Sequence, residues 1–245
     1  MIIVYLNIFF AFFLLPASWA ESGCVACHQG LPDPRQAKVF QAWKTSVHGE
    51  IEESCQTCHG GDASASVKEK AHKGVLGKDN LQSPIRKSNI PSTCGKCHED
   101  ILQDFTKSAH YKKIANNEKA PDCVTCHSPK SGFIVSVETM ESLCLPCHGK
   151  SGPAHPAPME RAKKLYSFYA SELKERRERT AGRIEEERKK GVPLELAEKL
   201  QILSGKYTLQ AKAAWHAFHL EEFELKIRKA YFLAEEAENL LNKKQ

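Results

Sequence analysis

The 245-residue chain is expected to be all-α and built in two unlike parts, on three observations. All ten cysteines fall before residue 150, in five Cys-x-x-Cys-His pentapeptides. After His148 no cysteine follows, glycine and proline thin out, and charged residues alternate with Leu, Ala and aromatics at a helical period. Between Cys24 and His148, 125 residues serve five motifs, which leaves too little polypeptide for an ordinary core.

The pentapeptides are Cys24-Val-Ala-Cys27-His28, Cys55-Gln-Thr-Cys58-His59, Cys94-Gly-Lys-Cys97-His98, Cys123-Val-Thr-Cys126-His127 and Cys144-Leu-Pro-Cys147-His148. Two thiols three residues apart can add to the two vinyl groups of one haem, and the adjoining histidine then reaches the iron. Zinc ribbons and a disulfide framework also use such cysteine pairs. Neither requires histidine at the fifth place, and all five motifs have it, so the expectation is five covalently attached c-type haems. Successive first cysteines are 31, 39, 29 and 21 residues apart, so the unit is not a regular repeat. With so short a chain, the macrocycles themselves are expected to be the core, wrapped in short helices and loops with little regular structure.

Each iron has a sixth position, and its occupant separates carriers from catalysts. Removing the five attachment histidines leaves His48, His72, His110, His155, His216 and His219. His48 in Trp43-Lys-Thr-Ser-Val-His48 and His110 in Phe105-Thr-Lys-Ser-Ala-His110 share a context, an aromatic followed by a small residue two before the histidine. His72 lies in a short amphipathic piece, and His155 is flanked by Pro153 and Pro156, which constrain its backbone. His216 and His219 compete for the fifth place. His216 is preferred, because it shares a helical face with Leu220 and Phe223. Met140 and Met159 are read as packing residues.

The first twenty residues carry no charged side chain and hold an apolar run from Ile8 to Leu15, followed by Pro16-Ala-Ser18-Trp-Ala20. They read as a signal peptide cleaved before Glu21, lacking the usual early Lys or Arg; an uncleaved anchor is the alternative. Export suits c-type haem, which is attached outside the bacterial cytoplasm, and the expected location is periplasmic. The formal charge of +5 would favour a polyanionic partner, but two propionates per haem reverse that balance, so no nucleic-acid partner is expected.

The division is expected at residues 1–20 for the signal, 21–157 for the haem unit and 158–245 for a helical tail. Pro158 suits a first helical turn, and Glu172 with Arg176, Glu175 with Arg179 and Glu185 with Lys189 are spaced for exposed pairs. Gly191 reads as a helix stop and Pro193 as the next start. The tail is therefore expected to be a long antiparallel helical pair, with a break near Ser204-Gly205. Its plain role is a cover over haems, and the alternative is a coiled-coil interface for a homo-oligomer.

The stretches from Trp43 through Ser46-Val-His48 to Cys55, and from Ser108-Ala-His110 to Ala120-Pro-Asp122-Cys123, resemble the multihaem cytochrome c superfamily. That superfamily includes tetrahaem electron carriers, pentahaem nitrite reductases and octahaem hydroxylamine oxidoreductases. The resemblance covers residues 24 to 148 well and implies the haem layout more firmly than an activity. The nitrite reductases it implies have lysine in place of one attachment histidine and longer chains, and the oxidoreductases have eight haems. Tyr166, Tyr169, Tyr207 and Tyr231 are read as packing residues rather than a cross-linked tyrosine. The expected function is electron carriage through five closely spaced bis-histidine haems in anaerobic or respiratory metabolism. Its partners would be a redox donor and acceptor, with a membrane quinol oxidase or reductase complex as a candidate. The rival is an oxidoreductase acting on a small nitrogen or sulfur compound at one five-coordinate haem.

Overall fold

Ser54 and Asp122, directly before the second and fourth motifs, favour single capped turns, and short helices dominate the first part of the chain. The computed structural model describes residues 22–128, 133–134, 136–154 and 157–243, and they form an all-α protein. The expected signal segment lies outside the described residues, as do His155 and Pro156. In chain order come α1 (Gly23–His28), α2 (Pro34–Lys44), α3 (Val47–Glu50), α4 (Cys55–His59), α5 (Lys68–Ala71), α6 (Ile90–Cys94), α7 (Glu99–Thr106), α8 (Ala109–Ala115), α9 (Cys123–Cys126) and α10 (Val137–His148). A two-residue antiparallel ladder, β1 (His127–Ser128) with β2 (Phe133–Ile134), pairs His127 with Ile134.

Helices this short are unstable alone, so their caps matter. Ser54 accepts from the Gln56 amide at the start of α4. Asp122 with Thr125 forms a reciprocal capping box on α9, and Ser136 with Thr139 does so on α10. Apolar burial is sparse here. Among the described residues before 155, the buried hydrophobic side chains are Phe40, Phe105, Ile114, Ala120 and Met140. Sixteen others, from Met159 to Leu241, all lie in the tail.

The tail consists of α11 (Ala157–Phe168), a π-helical turn (Tyr169–Leu173), α12 (Lys174–Lys189), α13 (Glu195–His216) and α14 (Leu220–Asn242). Pro158 occupies the first turn of α11, and Gly191 follows α12 at φ +74°, as a helix stop should. The expected helical pair is three rods, because the second half divides at 217–219 rather than at Ser204-Gly205. α13 runs unbroken through Ser204, whose hydroxyl donates to the Ala230 carbonyl at 2.8 Å. Ala211, Ala214, Ala230, Ala234 and Ala237, all at most 3 % exposed, let α13 and α14 approach closely along their length.

The actual break is a C-terminal cap. The Phe218 amide donates to the Trp215 carbonyl and the His219 amide to that of Ala214, the two bonds of a Schellman turn. The left-handed position, usually glycine, is held by Phe218 at φ +57°. A side chain there costs about 1–2 kcal/mol.

Two expected helix-surface pairs are redirected across the bundle. Arg176 donates to Glu238 at 2.7 Å and to the Tyr231 hydroxyl at 2.7 Å, and Arg179 donates to Glu238 at 2.9 Å. Arg179 holds the Glu238 carboxyl below the ordinary range against the opposing pull of burial. Only the Glu185–Lys189 pair forms as expected, at 4.0 Å. Phe223, 1 % exposed, packs on Trp215 and Tyr169 at the centre of the bundle. Replacing it with Ala is expected to destabilise the tail by about 3–5 kcal/mol, measured as a lower thermal unfolding midpoint in far-ultraviolet circular dichroism.

Candidate haem sites

A helical turn puts residues i and i+3 on one face, so α1, α4 and α9 each present both cysteines of a motif to the same side. α10 carries the fifth motif in its last turns, with Pro146 between the two cysteines. The third motif begins at the end of α6 and continues in a turn to His98. None of the ten cysteines is in a disulfide, so the framework alternative has no bridge to support it. Burial raises the Cys55 and Cys144 thiols and raises that of Cys126 to about 11, while a hydrogen bond with Cys123 lowers that of Cys94.

Four of the attachment histidines face other histidines. Ring centres are 6.0 Å apart for His28 and His72, and 6.2 Å apart for His48 and His98, for His110 and His148, and for His127 and His216. This separation is too long for a direct hydrogen bond between the rings and lies within the range of offset or edge-to-face ring packing. Two metal–nitrogen bonds of about 2 Å, plus roughly 1 Å from each nitrogen to its ring centre, give about 6 Å. Each pair therefore has the span that one iron between two axial imidazoles requires. Among the described residues no three His, Cys, Asp or Glu side chains converge on one point, so the zinc-ribbon alternative finds no ligand set. A porphyrin needs only the two axial groups.

The local sequence sets these side chains. Ser46 and Ser108, each 1 % exposed, are the N-caps of α3 and α8, accepting from the Gly49 and Tyr111 amides. This explains the shared context of His48 and His110: each sits at the second position of a short capped helix, held by a buried hydroxyl. His72 follows α5, and its Nδ1 lies 2.9 Å from the Lys68 carbonyl. His216 Nδ1 lies 2.7 Å from the Lys212 carbonyl. Such bonds fix the ring and leave Nε2 for a metal. His110 differs: its Nδ1 is buried with no hydrogen-bond partner. Burial, then the neighbouring His148 and Lys113, lower its pKa to about 4, which keeps the ring neutral as a ligand must be. Burial likewise lowers His127, with His216 and His98 adding to the effect.

Of the two tail histidines, His216 takes part in a pair and His219 is exposed at the N-cap of α14. His155 lies outside the described residues. Met140 and Met159 are buried packing residues, 4 % and 7 % exposed. Tyr169, Tyr207 and Tyr231 pack against the tail core, and Tyr166 stacks on Trp215 with ring centres 5.0 Å apart. Sequence reasoning did not single out Phe218, whose ring stands edge-on to His110 at 4.2 Å. An unremarkable Phe between two histidines gave no signal of this.

Neighbouring motifs follow sequence order. Cys55 lies within electrostatic reach of Cys24, Cys58 of Cys94 and Cys126 of Cys144, and the Cys94 and Cys123 sulfurs are hydrogen-bonded. A cleft of about 90 Å³, open to solvent, runs between the third and fourth motifs and is lined by Cys94, His98, Cys123, His127, His216 and Phe218 among others. No helix of the described residues is long and apolar enough to cross a membrane.

Neither curated proteins nor solved structures give a match to this chain. Residues 82–152 match the family model described as cytochrome c7 and related cytochrome c. That segment spans the third, fourth and fifth Cys-x-x-Cys-His motifs, where cysteine turns and opposed histidines recur together, and over it the chain is similar to multihaem c-type cytochromes.

Proposed function

We propose that this protein is an exported pentahaem electron carrier whose five irons all have two histidine ligands. The observation that carries the reading is the four histidine pairs at 6.0–6.2 Å, each joining an attachment histidine to one from elsewhere in the chain. In this reading His28 works with His72, His98 with His48, His148 with His110 and His127 with His216. His59 is assigned His155 by elimination, as the candidate left over from those four pairs. The cysteines Cys24, Cys27, Cys55, Cys58, Cys94, Cys97, Cys123, Cys126, Cys144 and Cys147 tether the five haems.

The haem, when bound, supplies a one-electron Fe(III)/Fe(II) couple. The residues hold it by two thioethers and two imidazoles, exclude a sixth-position substrate, and keep neighbouring sites close enough for outer-sphere transfer. Contacts between consecutive motifs support a path in sequence order, with the first and fifth sites at its ends. Redox proteins that dock at those ends are the partners we propose, a membrane quinol oxidase or reductase complex among them. Segment 1–20 supports export. Self-association through the tail would use its outward apolar side chains, such as Ile202 at 71 % and Leu225 at 66 % exposure.

Oxidised holoprotein is expected to give only low-spin electron paramagnetic resonance signals, unchanged by nitrite or hydroxylamine. A high-spin signal that responds to either would favour the oxidoreductase instead. His216→Ala is expected to convert one haem to high-spin without loss of attachment, whereas His219→Ala leaves the spectrum unaltered; the reverse pattern would exchange their roles. Cys58→Ser is expected to lower the haem count by one and reduce soluble yield, read by mass spectrometry of the denatured protein and by purification. A stable four-haem product with unchanged melting would contradict a core made of haems.

A further inference from the structure

Two of the second histidines donate Nδ1–H to a backbone carbonyl, His72 to Lys68 at 2.9 Å and His216 to Lys212 at 2.7 Å. His110 does not: its Nδ1 is buried without a partner. The His110 ring meets that of Phe218, with ring centres 4.2 Å apart and the planes at 80°. Phe218 stands at the left-handed position of the turn after α13, where glycine is usual, so its ring is retained at a backbone cost. The same turn carries His216 two residues earlier, so one corner of the tail reaches both the fourth and the fifth sites.

We infer that Phe218 is a positioning residue that makes the His110–His148 site easier to reduce than the His28–His72 and His127–His216 sites, by packing His110 where its N–H finds no acceptor. An imidazole that donates to a carbonyl gains basicity and stabilises ferric iron; one that does not is a weaker donor and leaves its iron at higher potential. His110 thus biases an electron arriving from the His127–His216 site to remain at the fifth. One ferrous centre loses the electron that one ferric centre gains, and no bond or proton moves. The end of the chain nearest Cys147 becomes the side from which an oxidising redox protein draws electrons. This rests on the two-histidine reading of the sites.

The test is a potentiometric titration of the holoprotein followed by electron paramagnetic resonance, on wild type, Phe218→Asn and Phe218→Leu. Asn tolerates the left-handed backbone and supplies an amide oxygen for the His110 N–H; Leu keeps apolar bulk and supplies none. The expected result is that Phe218→Asn lowers one high-lying potential and shifts the g values of that haem, while Phe218→Leu leaves the potential near its original value. Equal shifts in both variants, or none in Phe218→Asn, would overturn the inference. His110→Ala separates the two levels: an unaltered spin state in that variant removes His110 as a ligand and the parent reading with it. Conversion of one haem to high-spin, with no Asn-specific shift, overturns only the role of Phe218.

Discussion

The spacing of opposed imidazoles is the constraint on which the structure depends. Four attachment histidines each face a second ring at 6.0–6.2 Å, and the rings come from different parts of the chain with different tilts, from 16° to 89° between planes. Other ring contacts in the chain scatter from 4.2 to 6.5 Å, whereas these four fall between 6.0 and 6.2 Å. Maintaining one separation across four unlike settings is what an axial pair around a common metal demands. The short helices, their caps and the turn at Phe218 all deliver histidines to those positions.

The same constraint explains the uneven packing. The first part of the chain buries five hydrophobic side chains among its described residues, and the tail buries sixteen. A polypeptide region with so little apolar burial is not stable by its own contacts. Haem faces, apolar and large, are the natural source of the missing burial, with Ser46, Ser108, Asp122 and Ser136 stabilising the single turns around them. The tail joins this unit rather than standing apart from it. Phe218 approaches Phe105 with ring centres 6.5 Å apart, and His216 faces His127 from the end of a 22-residue helix.

Much of the site was legible because it is local. Two cysteines and a histidine within five residues carry their chemistry in the spacing, whereas the apolar face invoked for His216 does not exist, because the turn at 217–219 places Leu220 and Phe223 on α14. The pairings were not legible. They join residues 44, 50, 38 and 89 positions apart, for His28–His72, His48–His98, His110–His148 and His127–His216 in turn, and no local pattern encodes such closures. The tail's third rod was missed because Ser204-Gly205 looks like a break and Phe218 does not. Tertiary packing decided both: Ser204 is satisfied by the Ala230 carbonyl inside the bundle, and Phe218 accepts a glycine's conformation while its ring lies on His110. The expected Glu172–Arg176 and Glu175–Arg179 pairs yielded to Glu238, because a partner across the bundle is less exposed than one along the helix.

The most direct test of the account is an experimental structure of the holoprotein with iron positions located by anomalous scattering. The account predicts an iron midway between the rings of each of the four pairs, with each macrocycle tethered to the cysteines beside its attachment histidine. An iron bound by an attachment histidine whose opposed histidine has swung away, leaving water or an open face, would contradict it.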